Sequence, residues 1–372
     1  MTAALHGLKV LDFSTLLPGP FASMYLADMG AEVIHVESPI RPDLIRIMPP
    51  YANGQATTHS YLNRNKQSIA LDLKDITNIE LIKSKIMEFD IVLEQFRPDV
   101  MRRLGLDYAT LSQINPRLIY CSITGYGQTG DYKNRAGHDI NYLALAGVAG
   151  HSGRQAGGPP PLGIQVADIA GGSLHAVVAI LAAVVERQQS GLGQYIDISM
   201  TDCVASLNSM AASASLAGQV PQAPEQGLLN GAGFYDYYET KDGRYFSVGS
   251  LEPQFMTGLA AALELPILLE KGASMTTEDR QVVKQALQEK FSTQNFAVWQ
   301  QLFQDLDICV EPVLSLDEAL ISPLAQQRGW VVEVPLSEQT ERTEPQLACP
   351  IKFSRSKMRY DFIGQGLGEG KW

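Results

Sequence analysis

Cysteine is scarce and unpaired: four residues in 372, at Cys121, Cys203, Cys309 and Cys349, with no CxxC among them. Spacing this wide makes neither a zinc ligand set nor a disulfide framework, and a chain of this size needs no staple. Reduced, partly buried thiols are expected. Positive charge is in deficit too. Lysine and arginine number 29 against 40 aspartates and glutamates, a formal net charge of −11. That balance argues against a general nucleic-acid binder, which needs a basic face, but leaves room for an acidic ligand in a local basic pocket. The six histidines (His6, His35, His59, His138, His151, His175) are scattered and form no HExxH, so no metal site is expected. Long hydrophobic runs are missing. The longest, LHAVVAILAAVV from Leu174 to Val185, stops at Glu186 and Arg187, short of a bilayer span. The opening MTAALHGLKVLDFS has no charged-then-apolar signal pattern. A soluble, cytoplasmic protein without membrane or nucleic-acid partners is the expectation. Two nucleotide fingerprints are also absent: LPGPFAS has one glycine between prolines where GxGxxG would stand, and no GxxxxGK[ST] occurs.

What the chain does have is apolar material, 45% of its residues, enough for a sizeable core and for two domains or one elaborated domain. Its first third alternates patterns. LKVLDFS (8–14) and AEVIHVE (31–37) read as strands, with PGPFASMYLADMG (18–30) between them as a helix opened by proline and closed by Gly30. Strands follow at 67–73, 90–96 and 117–125, with helical segments near 76–88 and 107–114. This alternation implies an α/β fold with an open parallel sheet flanked by helices. A long apolar helix runs from Asp168 to Gln189 and stops at Gly191 and Gly193. The texture then changes: 231–250 reads as a hairpin turning at Asp242-Gly243, followed by helix from Leu251 and amphipathic material at 277–306. The expected organisation is a large domain over 1–195 completed by 311–372, linker helices over 196–224, and a smaller α+β domain over 225–310.

Single polar residues cluster at the ends of the expected strands, where open α/β sheets bind ligands. Leu71-Asp72-Leu73-Lys74 follow one strand; Gln95-Phe96-Arg97 follow another, with Arg103 less than two helical turns on. Arginines and a lysine at one sheet edge suit a phosphate-bearing ligand, although Arg97, Arg102 and Arg103 also read as an ordinary solvated face. Gly137-His138-Asp139-Ile140-Asn141-Tyr142 follows the last strand of the series, and His138 by itself reads as a histidine in a turn before it reads as a catalyst. Asp168 stands where the apolar helix begins. There it is either an N-cap or, with Gly171 and Gly172 removing bulk beside it, a catalyst near unpaired first-turn N–H donors. Met200, Met210 and Met256 offer either deformable apolar surface or plain core filling.

Six stretches in order, GLKVLDFSTLLPGPFASMYLADMGAEVIHVESP, NRNKQSIALDLK, LEQFRPDVMRRLGLDY, RLIYCSITGYGQTGDY, VADIAGGS and GQYIDISMTD, resemble the family III coenzyme A transferases, the group holding formyl-CoA and carnitine–CoA transferases. RAGHDINYLALAG and SVGSLEPQF resemble that group's α-methylacyl-CoA racemase branch. The resemblance implies an acyl-CoA ligand. Its CoA portion would contact Leu71, Asp72, Leu73, Lys74, Gln95, Phe96, Arg97, Arg103 and the segment Gly137, His138, Asp139, Ile140, Asn141, Tyr142. It implies catalytic roles for His138 and Asp168 as two acid/base groups flanking an α-carbon, with Glu252 pairing the histidine and Asp139 in a supporting place. It implies no separate cofactor, and an interlocked homodimer with each active site between subunits. Racemisation of 2-methylacyl-CoA thioesters through an enolate is the activity expected. The alternative is CoA transfer between carboxylic acids with Asp168 as nucleophile, and a non-catalytic acyl-CoA-binding protein is a third reading. Two departures stand out. Ser38 occupies a position that is arginine in some racemases, with Arg41 and Arg46 nearby as substitutes, and GQGLGEGKW lacks the final helix that many relatives carry.

Overall fold

The computed structural model describes residues 2–219, 223–274 and 276–372; residues 220–222 of the expected linker and Met275 of the expected small domain lie outside it. Contacts divide the described chain into two units. The first comprises Met1–Ala146, Leu162–Leu207 and Pro323–Trp372, the second Gly147–Pro161 and Asn208–Ser322.

The first unit is built on a six-stranded, wholly parallel sheet: β1 (Lys9–Asp12), β2 (Glu32–Glu37), β3 (Lys66–Ala70), β4 (Ile91–Glu94), β5 (Ile119–Thr124) and β6 (Tyr195–Ser199), in the spatial order β3-β2-β1-β4-β5-β6. Five of these strands fall where the apolar runs predict them. β6 is assigned no strand by the sequence reading; it is short, half exposed at the sheet edge, and follows a glycine turn. Gly193 is the reason that turn is possible, since a Cβ there would lie 2.0 Å from the Leu118 carbonyl oxygen.

Helix α1 (Pro18–Asp28) connects β1 to β2. Pro18 opens it, where the missing N–H costs nothing, and Gly30 closes it at φ +107° with Ala3 against its α-carbon, a conformation open to glycine. Helices Ile76–Lys85 and Tyr108–Ile114 follow β3 and β4. Leu11, Val36, Ile69, Val92 and Tyr120 of the strands pack with Ile79, Ile82 and Leu111 of these helices in one buried cluster. The apolar helix is longer than its densest run suggested. Ala167–Ser190 spans 24 residues and is by length and composition apolar enough to cross a membrane, and here it packs on α1, β5 and β6.

The C-terminal segment closes the outer edge of the sheet. An antiparallel pair, Val331–Pro335 with Thr343–Leu347, is tied in by fully buried Arg64. That guanidinium pairs with Asp28 at 2.6 and 2.9 Å and donates to the Leu347 carbonyl at 2.7 Å. The glycine-rich tail then runs along β3, with Gly370 N–H donating to the Ser68 carbonyl. A Cβ on Gly370 would strike the Ser68 backbone, so the tail can cover this strand edge only as glycine.

The second unit has a three-stranded antiparallel sheet of β7 (Asp236–Glu239), β8 (Tyr245–Val248) and β9 (Val310–Pro312), β8 in the middle. The hairpin turns at Asp242-Gly243 as its sequence predicts. Phe246, Phe291, Phe296, Trp299 and Phe303 form its aromatic core together with Met256. Met256 is therefore core filling.

Candidate active site

The strand order reverses between β1 and β4, because the chain leaves β1 toward β2 and β3 and returns on the other side. Connections after those two strands diverge to opposite faces and leave a crevice at their C-terminal ends. A cavity of about 680 Å³ lies there. Its floor is Thr15–Pro18 after β1, Gln95–Pro98 after β4, and Ile123–Tyr126 at the end of β5; Lys133, Arg135–His138, Asn141, Tyr142, Asp168 and Met200 complete it.

The turns around this cavity hang from buried carboxylates. Asp12 accepts from the Ser14 N–H at 2.8 Å, Asp43 from the Leu16 N–H at 2.8 Å, and Glu94 from the Phe96 N–H at 2.8 Å. All three acids are less than 5% exposed. Gln95 links two of the turns: its side-chain oxygen accepts from the Gly19 N–H at 2.9 Å, leaving its NH₂ for a ligand. Burial pushes the Glu94 carboxyl up to about 7, opposed by its bonds from Ser122 and the Phe96 N–H.

His138 is the N-cap of α2 (Asp139–Leu145), its own N–H donating to the Asn141 side chain at 3.0 Å. The imidazole is exposed and lines the cavity. Gly125 and Gly137 make room for the Tyr142 ring, whose atoms would lie 2.5–2.6 Å from a Cβ at either position. Those glycines shape the wall beneath His138.

Asp168 differs in two respects from what the sequence predicts. It is no N-cap; it lies one residue inside a π-helical stretch, Ala167–Leu174, that precedes the regular α-helix His175–Ser190. Such wide turns frequently mark functional positions. Nor are its neighbouring donors free: the Ala167 and Asp168 N–H groups both donate to Asp139, at 2.6 and 3.0 Å, and that of Ile169 to the Gln165 carbonyl. Gly171 and Gly172 are likewise not openings for a ligand. They are buried, and a Cβ would press Val204 at 2.9 Å or Met200 and Pro18 at 3.0–3.2 Å. They let the π-helix sit against its neighbours. Asp168 itself is half-buried, and its carboxyl is pushed up to about 6 by burial first and by the Asp139 charge second, with His138 opposing. Among the described hydrogen bonds, the first-turn N–H groups of Asp139 and Ile140 have no acceptor.

Of the expected CoA contacts, Gln95, Phe96, Arg97, Gly137, Asn141 and Tyr142 line the cavity. Leu71, Asp72, Leu73 and Lys74 stand beyond β3 at the far edge of the sheet and do not; Leu71 is core. Arg103 and Ile140 are exposed outside its lining, and Asp139, also outside it, acts on it through Asp168, by accepting the Asp168 N–H and by its charge. Arg46 is spent on Glu37 and the Gln365 carbonyl, so of the two substitutes for an arginine at Ser38 only exposed Arg41 is uncommitted. Met200 lines the cavity, whereas Met210 is an exposed residue of the second unit. Glu252, exposed, stands at the N-cap position of helix Pro253–Leu263 of the second unit without a side-chain capping bond.

Sequence reasoning missed the Thr15–Pro18 turn, Thr124, Tyr126, Lys133 and Arg135. The signal for the cations was present, two within five residues upstream of His138. Lys133 is steadied by Asp99 at 3.1 Å, Arg135 lies 4.7 Å over the Tyr132 ring, and Arg97 is exposed. This acidic chain thus has a basic rim at one cavity, suited to phosphate oxygens. Thr124 adds a buried hydroxyl without a protein partner. Among the described residues, no group of three His, Cys, Asp or Glu side chains is arranged to hold a metal.

The sequence model of CoA-transferase family III matches residues 5–363. The alpha-methylacyl-CoA racemase of Mus musculus is 40% identical over 318 residues, 85% of this chain and 79% of its own. The Homo sapiens succinyl-CoA:glutarate CoA-transferase is 33% identical over 360 residues, 95% of this chain and 81% of its own. A CAIB/BAIF family protein from Brucella suis has the same fold at a TM-score of 0.84 and 29% identity, covering 99% of this chain and 97% of its own. With the match running almost end to end, the chain belongs to CoA-transferase family III.

Proposed function

We propose that this family member is an α-methylacyl-CoA racemase, inverting the α-carbon of 2-methylacyl-CoA thioesters by two-base proton transfer. The observation that carries the reading is that His138 and Asp168, two proton-transfer groups on separate elements, line one cavity at the switch point of the sheet. A transferase mechanism asks only for the carboxylate. The basic rim of Arg97, Lys133 and Arg135 holds the CoA phosphates, and Met200 offers deformable apolar surface to the acyl chain.

The thioester carbonyl acidifies the α-C–H. One group breaks that bond and keeps the proton, the electron pair passes into a planar enolate, and the other group delivers a proton to the opposite face. With Asp168 raised to about 6, its carboxyl exchanges protons in the range used by imidazoles, so either group serves as acid or base according to the enantiomer bound. The thioester supplies the activation, and the reading needs no further cofactor. Glu252 is assigned to the histidine of a partner subunit in a homodimer.

The second reading, CoA transfer with Asp168 as nucleophile, has the 33% identical transferase in its favour. A single enantiomer of a 2-methylacyl-CoA, incubated in deuterium oxide with no acceptor acid, separates the two. Racemisation with α-deuterium incorporation is expected, and His138→Ala should abolish it. No exchange, with CoA passing to an added carboxylate and His138→Ala still active, would hand the function to the transferase.

A further inference from the structure

Leu16 is the anomaly in the cavity wall. It is a non-glycine residue at φ +61°, a left-handed conformation that bulky L-residues seldom adopt. Its side chain lines the cavity, so glycine could not replace it without removing that surface. Something outside the turn has to hold it. The Leu16 N–H donates to Asp43 Oδ2 at 2.8 Å, across 27 residues of chain. The other oxygen, Oδ1, accepts from the Ile45 N–H at 3.1 Å and caps the short turn Leu44–Ile47. Capping alone needs one oxygen; the second is committed to the cavity wall. Asp43 is 3% exposed, and its own N–H donates to Glu37, which Arg46 grips through two nitrogens. The clamp is therefore itself held. From the other side, the Ser14 carbonyl accepts from His35 Nε2 at 2.9 Å, fixing the residue where the turn begins.

We propose that Asp43 is a positioning residue for the ligand site: by accepting the Leu16 N–H it keeps the Thr15–Leu17 turn left-handed, presents Leu16 to the cavity and sets ligand affinity without touching the ligand. The proposal rests on the coenzyme A reading above. Its logic is that the clamp matters because residue 16 resists the conformation. Glycine does not resist it, so Asp43 should lose importance once Leu16 is glycine.

The experiment is a double-mutant cycle on the full chain with Asp43→Ala, Leu16→Gly and both together. Two quantities are read: coenzyme A affinity by calorimetry, and deuterium uptake of the peptide covering 14–17. Asp43→Ala alone should weaken coenzyme A binding about tenfold, the loss of one charge-assisted hydrogen bond. It should also speed exchange at 14–17 while the β1 peptide stays protected. In the Leu16→Gly background the same change should cost affinity much less. An equal loss in both backgrounds, or unchanged exchange at 14–17, overturns the clamp. Asp43→Asn, which keeps one acceptor oxygen, runs the same cycle if the alanine variant does not fold. A wild-type chain with no affinity for coenzyme A sinks the functional reading instead, and the clamp is then decided by the exchange data.

Discussion

Asp168 owes its raised pKa to two unlike causes. Burial acts on the carboxylate wherever the charge is, while Asp139 adds a like charge from the residue that also accepts the Asp168 N–H. Asp139→Asn keeps an acceptor oxygen and removes the charge. On the proposed racemase reading, the acid limb of the rate profile in the direction where Asp168 is the base should therefore move to lower pH from about 6, as read from kcat/KM against pH. Asp139→Ala should in addition strand two N–H donors and lose about 1–3 kcal/mol of stability in urea titrations. At this scale the sequence named His138, Asp168 and six of the cavity-lining contacts. It misjudged what surrounds Asp168, because whether an N–H is free depends on an acceptor 28 residues away at Asp139. Gly171 and Gly172 show the same limit: missing bulk reads equally as room for a ligand or as room for Met200 and Val204.

Glu94 joins elements. It ends β4, accepts the N–H that opens the Gln95–Arg97 turn, and takes a bond from Ser122 of β5, which accepts in turn from the Tyr195 hydroxyl of β6. Asp197 faces it as a second negative charge. Its folded pKa is raised from 4.5 to about 7, so the native state binds this proton more tightly than the unfolded chain. Unfolding free energy should then fall as pH rises from the ordinary carboxylate range to about 7 and level off above. Glu94→Gln should flatten that slope and leave the variant more stable at pH 8, by on the order of 3 kcal/mol. Denaturant titrations across pH 5 to 8 check it, and a slope that survives the substitution refutes the assignment. The Arg64–Asp28 pair is the opposite case, buried and compensated. Arg64→Ala should cost roughly 3–5 kcal/mol by taking the guanidinium from buried Asp28, which keeps its hydrogen bond from Asn65, seen as a lower urea midpoint. Elements were legible where periodicity is strong. β6 was not, since a short edge strand carries little apolar signal, and neither was the π-helical start at Asp168, since hydrophobic spacing hardly distinguishes a wide turn from a regular one.

For the whole molecule, the proposed homodimer makes a prediction that no single chain can satisfy. If Glu252 serves the His138 of another subunit, His138→Ala and Glu252→Ala proteins, each inactive, should regain activity when unfolded and refolded together. A mixed dimer would carry one site with both defects and one with neither, so activity should approach a quarter of wild type per subunit pair at random assortment (on the order of half the dimers mixed, half their sites intact). No recovery in the mixture would place histidine and glutamate in the same chain or remove the pairing altogether.

The sequence by itself determined the class of fold and named the candidate chemistry-bearing residues. Alternating apolar runs can only be buried in a helix-covered parallel sheet, and local patterns are carried by neighbours in the chain. Tertiary structure alone decided where the strand order reverses, which of the strand-end residues meet in one cavity, and which N–H groups remain unpaired. Leu71–Lys74 and Gln95–Arg97 look alike as sequence, each a polar cluster after a strand. Only the order β3-β2-β1-β4-β5-β6 sends the first to the edge of the sheet and the second to the crevice, because a ligand site is a property of which strands are adjacent in space.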